Sequence, residues 1–239
     1  MSVIYEPKGK AREYCELAVN LYKGCNYGCS YCYVPAATFQ SRDKFLMTFP
    51  KKNIIERLKL EAPKYAGREV FLSFSHDPYL SIDSEYLLTR KAIEILHEFY
   101  ITVRILTKAG KRSMRDFDLL SANPHKSWYG ATLTFLNEKE SQEYEPLAAP
   151  PVDRMAALSI AHDKGIRTWV SLEPVIKPEQ SLDIIKVTYD FVDEYKIGKW
   201  NYDTRGDEID WRDFGLKAIE LCKKYNKKFY IKKDLARYL

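Results

Sequence analysis

The chain reads as an α/β protein with a parallel sheet in a single domain, and three observations lead there. Six short apolar runs alternate with segments whose apolar residues recur at helical spacing, the pattern of strands joined by right-handed crossovers. At 239 residues the chain suits one sizeable core, as α/β barrels of this length do. A glycine-bearing cysteine loop follows directly on the first apolar run, and α/β barrels carry their chemistry on loops leaving C-terminal strand ends. The alternation alone suits an open barrel and a doubly wound sheet equally.

The elements follow in order. Residues 7–14 are polar and predict an extended arm. The apolar run 16–22 predicts strand one. Ile54, Ile55 and Leu58 lie on one helical face and predict a helix over 49–60. Residues 68–75 predict strand two, and Asp83 or Ser84 caps a helix running to about residue 98. Strand three is expected over 101–106, a helix over 113–120 and strand four over 128–135. A helix over 152–164 closes at Gly165, a suitable residue just past a helix end. Strand five (166–172) ends at Glu173-Pro174. A helix over 181–195, a sixth strand over 197–200 and a helix over 209–225 complete the alternation. Residues 228–231 read as a final strand or a tail docked beside it. The expected domain is 1–239, with a core of about 15–205 and a C-terminal helix and basic tail beyond.

Composition narrows the classes. Hydrophobic residues at 46% with 30% charged fit a globular protein. No stretch approaches the length of uninterrupted apolar sequence that a membrane helix needs, and the N-terminus lacks a signal-like apolar core. A cytoplasmic, membrane-free protein is expected. A net charge of +5 is compatible with a phosphate-bearing partner without requiring one.

The chemistry concentrates in Lys23-Gly24-Cys25-Asn26-Tyr27-Gly28-Cys29-Ser30-Tyr31-Cys32-Tyr33. Three cysteines spaced C-x3-C-x2-C in a loop that Gly24 and Gly28 allow to fold back can hold three corners of a [4Fe-4S] cluster. The fourth iron is then free to bind a substrate. A structural zinc site would want a fourth Cys or His at ligand spacing. His76, His97, His125 and His162 are remote and unpaired in sequence. A disulfide is disfavoured by low cysteine usage without a secretion signal. Of the two remaining cysteines, Cys222 lies among Ala218, Ile219 and Leu221 at helical spacing, which reads as packing.

This spacing resembles the signature of the radical S-adenosylmethionine (SAM) superfamily. Further motifs resemble its spore photoproduct lyase-like branch: Ala11-Arg12-Glu13-Tyr14, Asn20 to Cys25, Tyr31-Cys32-Tyr33, Ser73-Phe74-Ser75-His76-Asp77-Pro78-Tyr79, Thr89-Arg90, Ile105-Leu106-Thr107-Lys108 and Glu145-Pro146 followed by Arg154. They span roughly residues 8–176, then thin to Gly198-Lys199 and Ile209-Asp210-Trp211. The resemblance implies a six-stranded partial (β/α) barrel similar to a TIM barrel. It also implies a [4Fe-4S] cluster on Cys25, Cys29 and Cys32, and SAM chelated to the open iron. Reductive cleavage of SAM would give a 5′-deoxyadenosyl radical. The implied SAM contacts are Tyr31 beside the adenine, Ser75 and Asp77 at the amino group, Lys108 at the carboxylate, and Thr132 or Thr134 at the ribose or carboxylate. Glu173 lies on the same rim. Tyr33 is the implied radical-transfer residue, with packing as the alternative. Spore photoproduct lyase carries a hydrogen-donating cysteine at the end of strand two, and Leu72-Ser73-Phe74-Ser75 has none, which puts the thymine-dimer reaction in doubt.

The same resemblance implies a nucleotide or nucleic-acid substrate, a flavodoxin- or ferredoxin-like electron donor and a monomer. Arg90 and Arg154 read as substrate phosphate ligands or as salt-bridge partners, and His76 as a polar substrate contact or a packed residue. The basic and aromatic stretch 223–233 reads as a nucleic-acid surface or a solvated helix face. Arg12, Arg42 and Lys44 are candidates for a basic rim. Three readings remain open at this stage: a radical enzyme on nucleic acid, a radical enzyme on a metabolite or peptide, and an iron–sulfur electron-transfer protein without SAM chemistry.

Overall fold

The computed structural model describes residues 2–122 and 127–239; His125 lies outside the described residues. Among the described residues nine strands occur in chain order: β1 (Ala18–Val19), β2 (Tyr22–Lys23), β3 (Phe49–Pro50), β4 (Glu69–Leu72), β5 (Thr102–Thr107), β6 (Trp128–Thr132), β7 (Arg167–Leu172), β8 (Glu194–Ile197) and β9 (Lys228–Ile231). Seven form one sheet in the order β1-β4-β5-β6-β7-β8-β9. Every pairing in it is parallel. The main sheet therefore has seven strands where six were expected, because residues 228–231 pair along β8 instead of docking as a tail.

Several boundaries differ from expectation for physical reasons. The run 16–22 contributes only Ala18 and Val19 to the sheet, while Tyr22 and Lys23 turn away to pair antiparallel with β3. The helix expected from residue 49 starts at Ile54. The helix expected over 83–98 is broken at Leu87, which has φ +53°. There, the buried Asp83 carboxylate accepts the Thr89 N–H at 3.0 Å and so starts a new helix, Leu88–Glu98. The helix expected to reach residue 195 ends at Thr188, and the strand after it begins at Glu194. Its charged residues disguise that strand, because Glu194 and Lys196 point into the barrel. Gly165 closes the helix Pro151–Asp163 with φ +75°, as expected.

Period-two alternation sends one set of side chains to the surrounding helices and the other to the barrel interior. Val70, Leu72, Val103, Ile105, Tyr129, Val170, Leu172, Tyr195 and Ile197 belong to the main apolar core. On the inner face, the guanidinium of Arg104 bonds Glu69 at 2.9 Å, reaches Glu194 at 3.4 Å and lies 4.3 Å from the Trp128 ring centroid. Trp169 fills the space beside Gly130, where a Cβ would stand 2.3 Å from the indole, and its N–H donates to the Ile105 carbonyl. These groups plug the barrel floor, so the space inside lies at the C-terminal ends of the strands.

The N-terminal arm is not extended. Residues Gly9–Glu13 form a 3-10 helix tied to the β8–β9 side of the sheet. Lys196 donates to the carbonyls of Glu13 (3.1 Å) and Tyr14 (3.0 Å). The Glu13 carboxylate accepts from the Tyr230 hydroxyl and the Lys233 N–H. Meanwhile Tyr5 bridges to Ala18 in β1. The arm thus links the two ends of the sheet. Among the described residues, no helix is long and apolar enough to cross a membrane.

Candidate active site

The cysteine loop leaves β2 and returns under two glycines in the left-handed region, Gly24 (φ +74°) and Gly28 (φ +68°). At Gly24 no side chain fits: a Cβ would lie 2.0 Å from the Met47 carbonyl oxygen. The loop is fastened from outside. Cys25 N–H donates to the Phe45 carbonyl, Ser30 N–H donates to the Tyr144 carbonyl, and Arg42 donates to the carbonyls of Cys29 and Ser30. Cys25, Cys29 and Cys32 line one cavity of about 430 Å³, a size that suits a small molecule. Burial pushes the thiols of Cys25 and Cys29 up to about 11 and about 12, with the neighbouring thiols adding to the shift. Among the described residues, no three His, Cys, Asp or Glu side chains gather closely enough to hold a single metal ion.

The wall beside the cysteines is locked by its own polar groups. Asn20 accepts the N–H groups of Phe74 (2.9 Å) and Ser75 (3.0 Å). His76 Nε2 accepts the N–H groups of Leu21 (2.9 Å) and Tyr22 (3.0 Å), and its Nδ1–H donates to the Asp77 carbonyl. Burial holds this imidazole down to about 3, so it is a neutral pin: of the two readings of His76, the packed residue is the one that fits, and the substrate contact is not. Asp77 accepts from the Tyr79 N–H, the Thr107 hydroxyl and the Lys108 N–H, all at 2.7–2.8 Å. That uses three of a carboxylate's roughly four acceptor sites. Its main work is joining the end of β4 to the end of β5, not waiting for an ammonium. Lys108 and Ser75 line the cavity as expected. The Lys108 Nζ sits 5.6 Å from the Tyr31 ring centroid, and no carboxylate is within ion-pair distance of it among the described residues.

Behind the cysteines lies a buried network that the sequence reading missed. The Glu145 carboxylate accepts from Arg154 at 2.6 Å, from Tyr31 Oη and from the hydroxyl of Thr134 at 3.4 Å. Burial opposes its charge, but Arg154, Lys108 and the Tyr31 hydroxyl outweigh that and hold the carboxyl below its ordinary range. Arg154 is buried and also donates to the Thr132 and Ala149 carbonyls. It is therefore no phosphate ligand. Arg90 is likewise committed, to Asp118 and Asp116. Thr132 reaches the cavity, whereas Thr134 stands behind it in this network.

Across the cavity, Glu173 Oε2 accepts from Tyr14 Oη (2.6 Å) and Lys232 Nζ (2.5 Å), while Tyr14 Oη also bonds Ser171 at 2.9 Å. Bare backbone at Gly198 leaves room for this carboxylate. Glu173 Oε1 has no partner among the described residues. Lys232 is buried, so the last part of 223–233 fits neither reading, nucleic-acid surface or solvated helix face: it is a sheet strand and a barrel-facing lysine. Phe71 and Phe74 stack at 4.1 Å on the cavity wall. Tyr33 and Tyr202 line the cavity, 46% and 77% exposed, with ring centroids 6.3 Å apart. Cys15 and Cys222 are buried and do not line it.

Three thiols at the C-terminal end of a partial barrel already narrow the family. The sequence pattern of the radical SAM superfamily matches residues 19–192. The chain belongs to that superfamily. Radical SAM enzymes use a [4Fe-4S] cluster and SAM. The chain is 29% identical over 182 residues to the uncharacterized protein ORF301 of Acidianus two-tailed virus, covering 71% of this chain and 59% of that protein. It therefore spans about three fifths of that relative. It is 26% identical over 158 residues to the radical SAM Nalpha-GlyT isomerase of Pseudomonas phage M6, covering 64% of this chain and 31% of that one. Its fold is similar to spore photoproduct lyase with bound AdoMet and dinucleoside spore photoproduct (TM-score 0.70, 13% identity, 95% of this chain and 78% of that). It is also similar to Streptococcus suis SuiB bound to SAM (TM-score 0.65, 14% identity, 90% and 49%).

Tyr14 and Lys232 lie outside the matched residues 19–192, yet meet on Glu173. The signal for Lys232, and equally for Lys196, was a lysine in or just after an apolar strand at an inward position.

Proposed function

We propose that this radical SAM enzyme holds its [4Fe-4S] cluster on Cys25, Cys29 and Cys32 and acts on a nucleotide or nucleic-acid substrate, for repair or base modification. The observation that carries this reading is that the three thiols and the exposed pair Tyr33 and Tyr202 open onto one cavity. Three thiols lining one cavity are the donor set that iron–sulfur clusters take. A further sign of fit is Ser73 Oγ, a buried hydroxyl on the same wall with no hydrogen-bond partner among the described residues. When bound, the cluster on Cys25, Cys29 and Cys32 would supply the one electron needed for reductive cleavage of SAM.

The chain's own residues supply placement. Lys108, without an ion-pair partner among the described residues, would meet the SAM carboxylate; Ser73 and Ser75 would offer hydroxyls to its amino group; Tyr31, fixed by Glu145, would present its ring to the adenine. Phe71 and Phe74 keep water off the middle of the cavity. Tyr33 and Tyr202 offer stacking faces at the mouth, as surfaces that bind single-stranded bases do. Glu173 Oε1 is an acceptor for an N–H at the edge of a heterocycle. A similar structure, spore photoproduct lyase, holds a dinucleoside spore photoproduct, which supports the same reading. With no cysteine at the end of β4, a product radical here would need a hydrogen donor other than the one spore photoproduct lyase uses.

The test is a screen for stimulation of 5′-deoxyadenosine release from SAM by oligonucleotides, nucleotides and a peptide control. Stimulation by a base-bearing compound, lost in Tyr202→Ala, is expected. Stimulation by the peptide alone would overturn the nucleic-acid reading.

A further inference from the structure

The electron that SAM cleavage consumes has to enter from outside, and the outer face of the cysteine loop is built unlike the rest of that wall. There the backbone of residues 45–47 packs directly on Gly24, whose Cβ would stand 2.0 Å from the Met47 carbonyl oxygen, and Leu46 Cδ2 and Pro146 Cγ lie 3.8 Å and 3.3 Å from where a Gly28 side chain would start. Around them Leu46, Met47, Phe49 and Leu147 are 40%, 58%, 52% and 62% exposed. The segment behind this patch reads Arg42-Asp43-Lys44-Phe45-Leu46-Met47-Thr48-Phe49-Pro50-Lys51-Lys52, and Lys23 pairs directly opposite Phe49. Lys51 is shifted down by burial and by the charges of Lys23 and Arg57, which places these cations close together. Asp43 is the one acid in the segment. The acidic helix Glu138–Tyr144 borders the loop on the other side, where Tyr144 accepts the Ser30 N–H.

We infer that this apolar patch, flanked by Lys23, Lys44, Lys51 and Lys52, is the docking surface for an acidic one-electron carrier protein. The inference rests on the cluster assignment to Cys25, Cys29 and Cys32. Charge complementarity selects an acidic partner and steers its approach. The apolar centre supplies a desolvated contact where residues 45–47 pack on the cysteine loop. One electron passes from the reduced flavin of the carrier to the cluster; the carrier is oxidised by one electron, and no bond or proton in this chain changes.

The test uses the reconstituted holoenzyme with flavodoxin as the probe. Its affinity is measured by titration calorimetry at low and high ionic strength, and cluster reduction is followed by stopped-flow bleaching. K44E/K51E is expected to weaken flavodoxin binding and slow flavodoxin-driven reduction about tenfold or more. Reduction by dithionite should be unchanged. The control K223E/K227E, on the C-terminal helix region, should leave both flavodoxin values unchanged. Salt should weaken binding to the wild type and have less effect on K44E/K51E. Unchanged affinity in K44E/K51E, an equal loss in the control pair, or no flavodoxin binding to the wild type would each overturn the docking surface. Failure of dithionite itself to bleach the wild type would instead count against the cluster assignment.

Discussion

The two walls of the cavity are made of similar residues used in opposite ways. On the cysteine side, Asn20, His76 and Asp77 spend their hydrogen-bonding capacity on this chain's backbone and side chains. Glu145 and Arg154 are paired behind it. On the opposite side, Glu173 keeps one oxygen without a partner among the described residues, and Tyr33 and Tyr202 stay exposed. The comparison teaches that a polar residue at a strand end is not a ligand by default. The cysteine side is fixed in advance, so that the thiols and Lys108 hold their places. The far side leaves groups unspent for whatever molecule enters. Substitutions should therefore cost stability on the first wall and substrate recognition on the second.

The largest stability effect is expected from Arg154→Leu. Removing one partner of a buried pair leaves Glu145 uncompensated, at a cost of about 3–5 kcal/mol, measured by denaturant unfolding. A loss below about 1 kcal/mol would show that Glu145 is neutral without its partner.

Asp77→Asn comes next. The amide keeps an acceptor for one side of the staple but sets an NH₂ group against donors on the other. About 1–3 kcal/mol should be lost, with SAM affinity falling alongside because Lys108 loses its anchor. Weaker SAM binding at unchanged stability would make Asp77 a direct ligand after all.

The His76 pin gives a pH signature. Its folded value of about 3 lies below the unfolded value of 6.5, so the neutral form is favoured by folding. Its stabilisation is complete above pH 6.5 and is lost as pH falls toward 3. Between pH 6.5 and about 5 the wild type should lose about 1.5 kcal/mol that His76→Gln does not lose. Parallel pH profiles for the two proteins would contradict the pin.

The smallest stability effect should come from the far wall. Tyr202 holds φ +66°, a conformation glycine adopts freely. Tyr202→Gly should leave stability unchanged or raise it by up to about 1 kcal/mol, yet weaken binding of a base-bearing substrate. A destabilised variant would place Tyr202 with the structural wall.

Legibility in the sequence followed the range of the interactions. The cysteine spacing, the apolar alternation and Gly165 are local signals, and each was readable. The staples that shape the cavity join residues far apart: Tyr14 and Lys232 to Glu173, Asn20 to the backbone at Phe74 and Ser75, and Arg154 to Glu145. No local pattern announces such partners. Charged residues in inner strands were misread for a related reason. Glu194, Lys196 and Lys232 break the apolar rhythm because the barrel interior gives them partners.

The most direct test of the central claim is anaerobic SAM cleavage by the iron- and sulfide-reconstituted protein with dithionite, comparing wild type with Cys29→Ala. Release of 5′-deoxyadenosine by the wild type and none by the variant is the predicted result. Equal release by both, or a wild type that neither assembles a cluster nor binds SAM, would contradict the assignment of Cys25, Cys29 and Cys32.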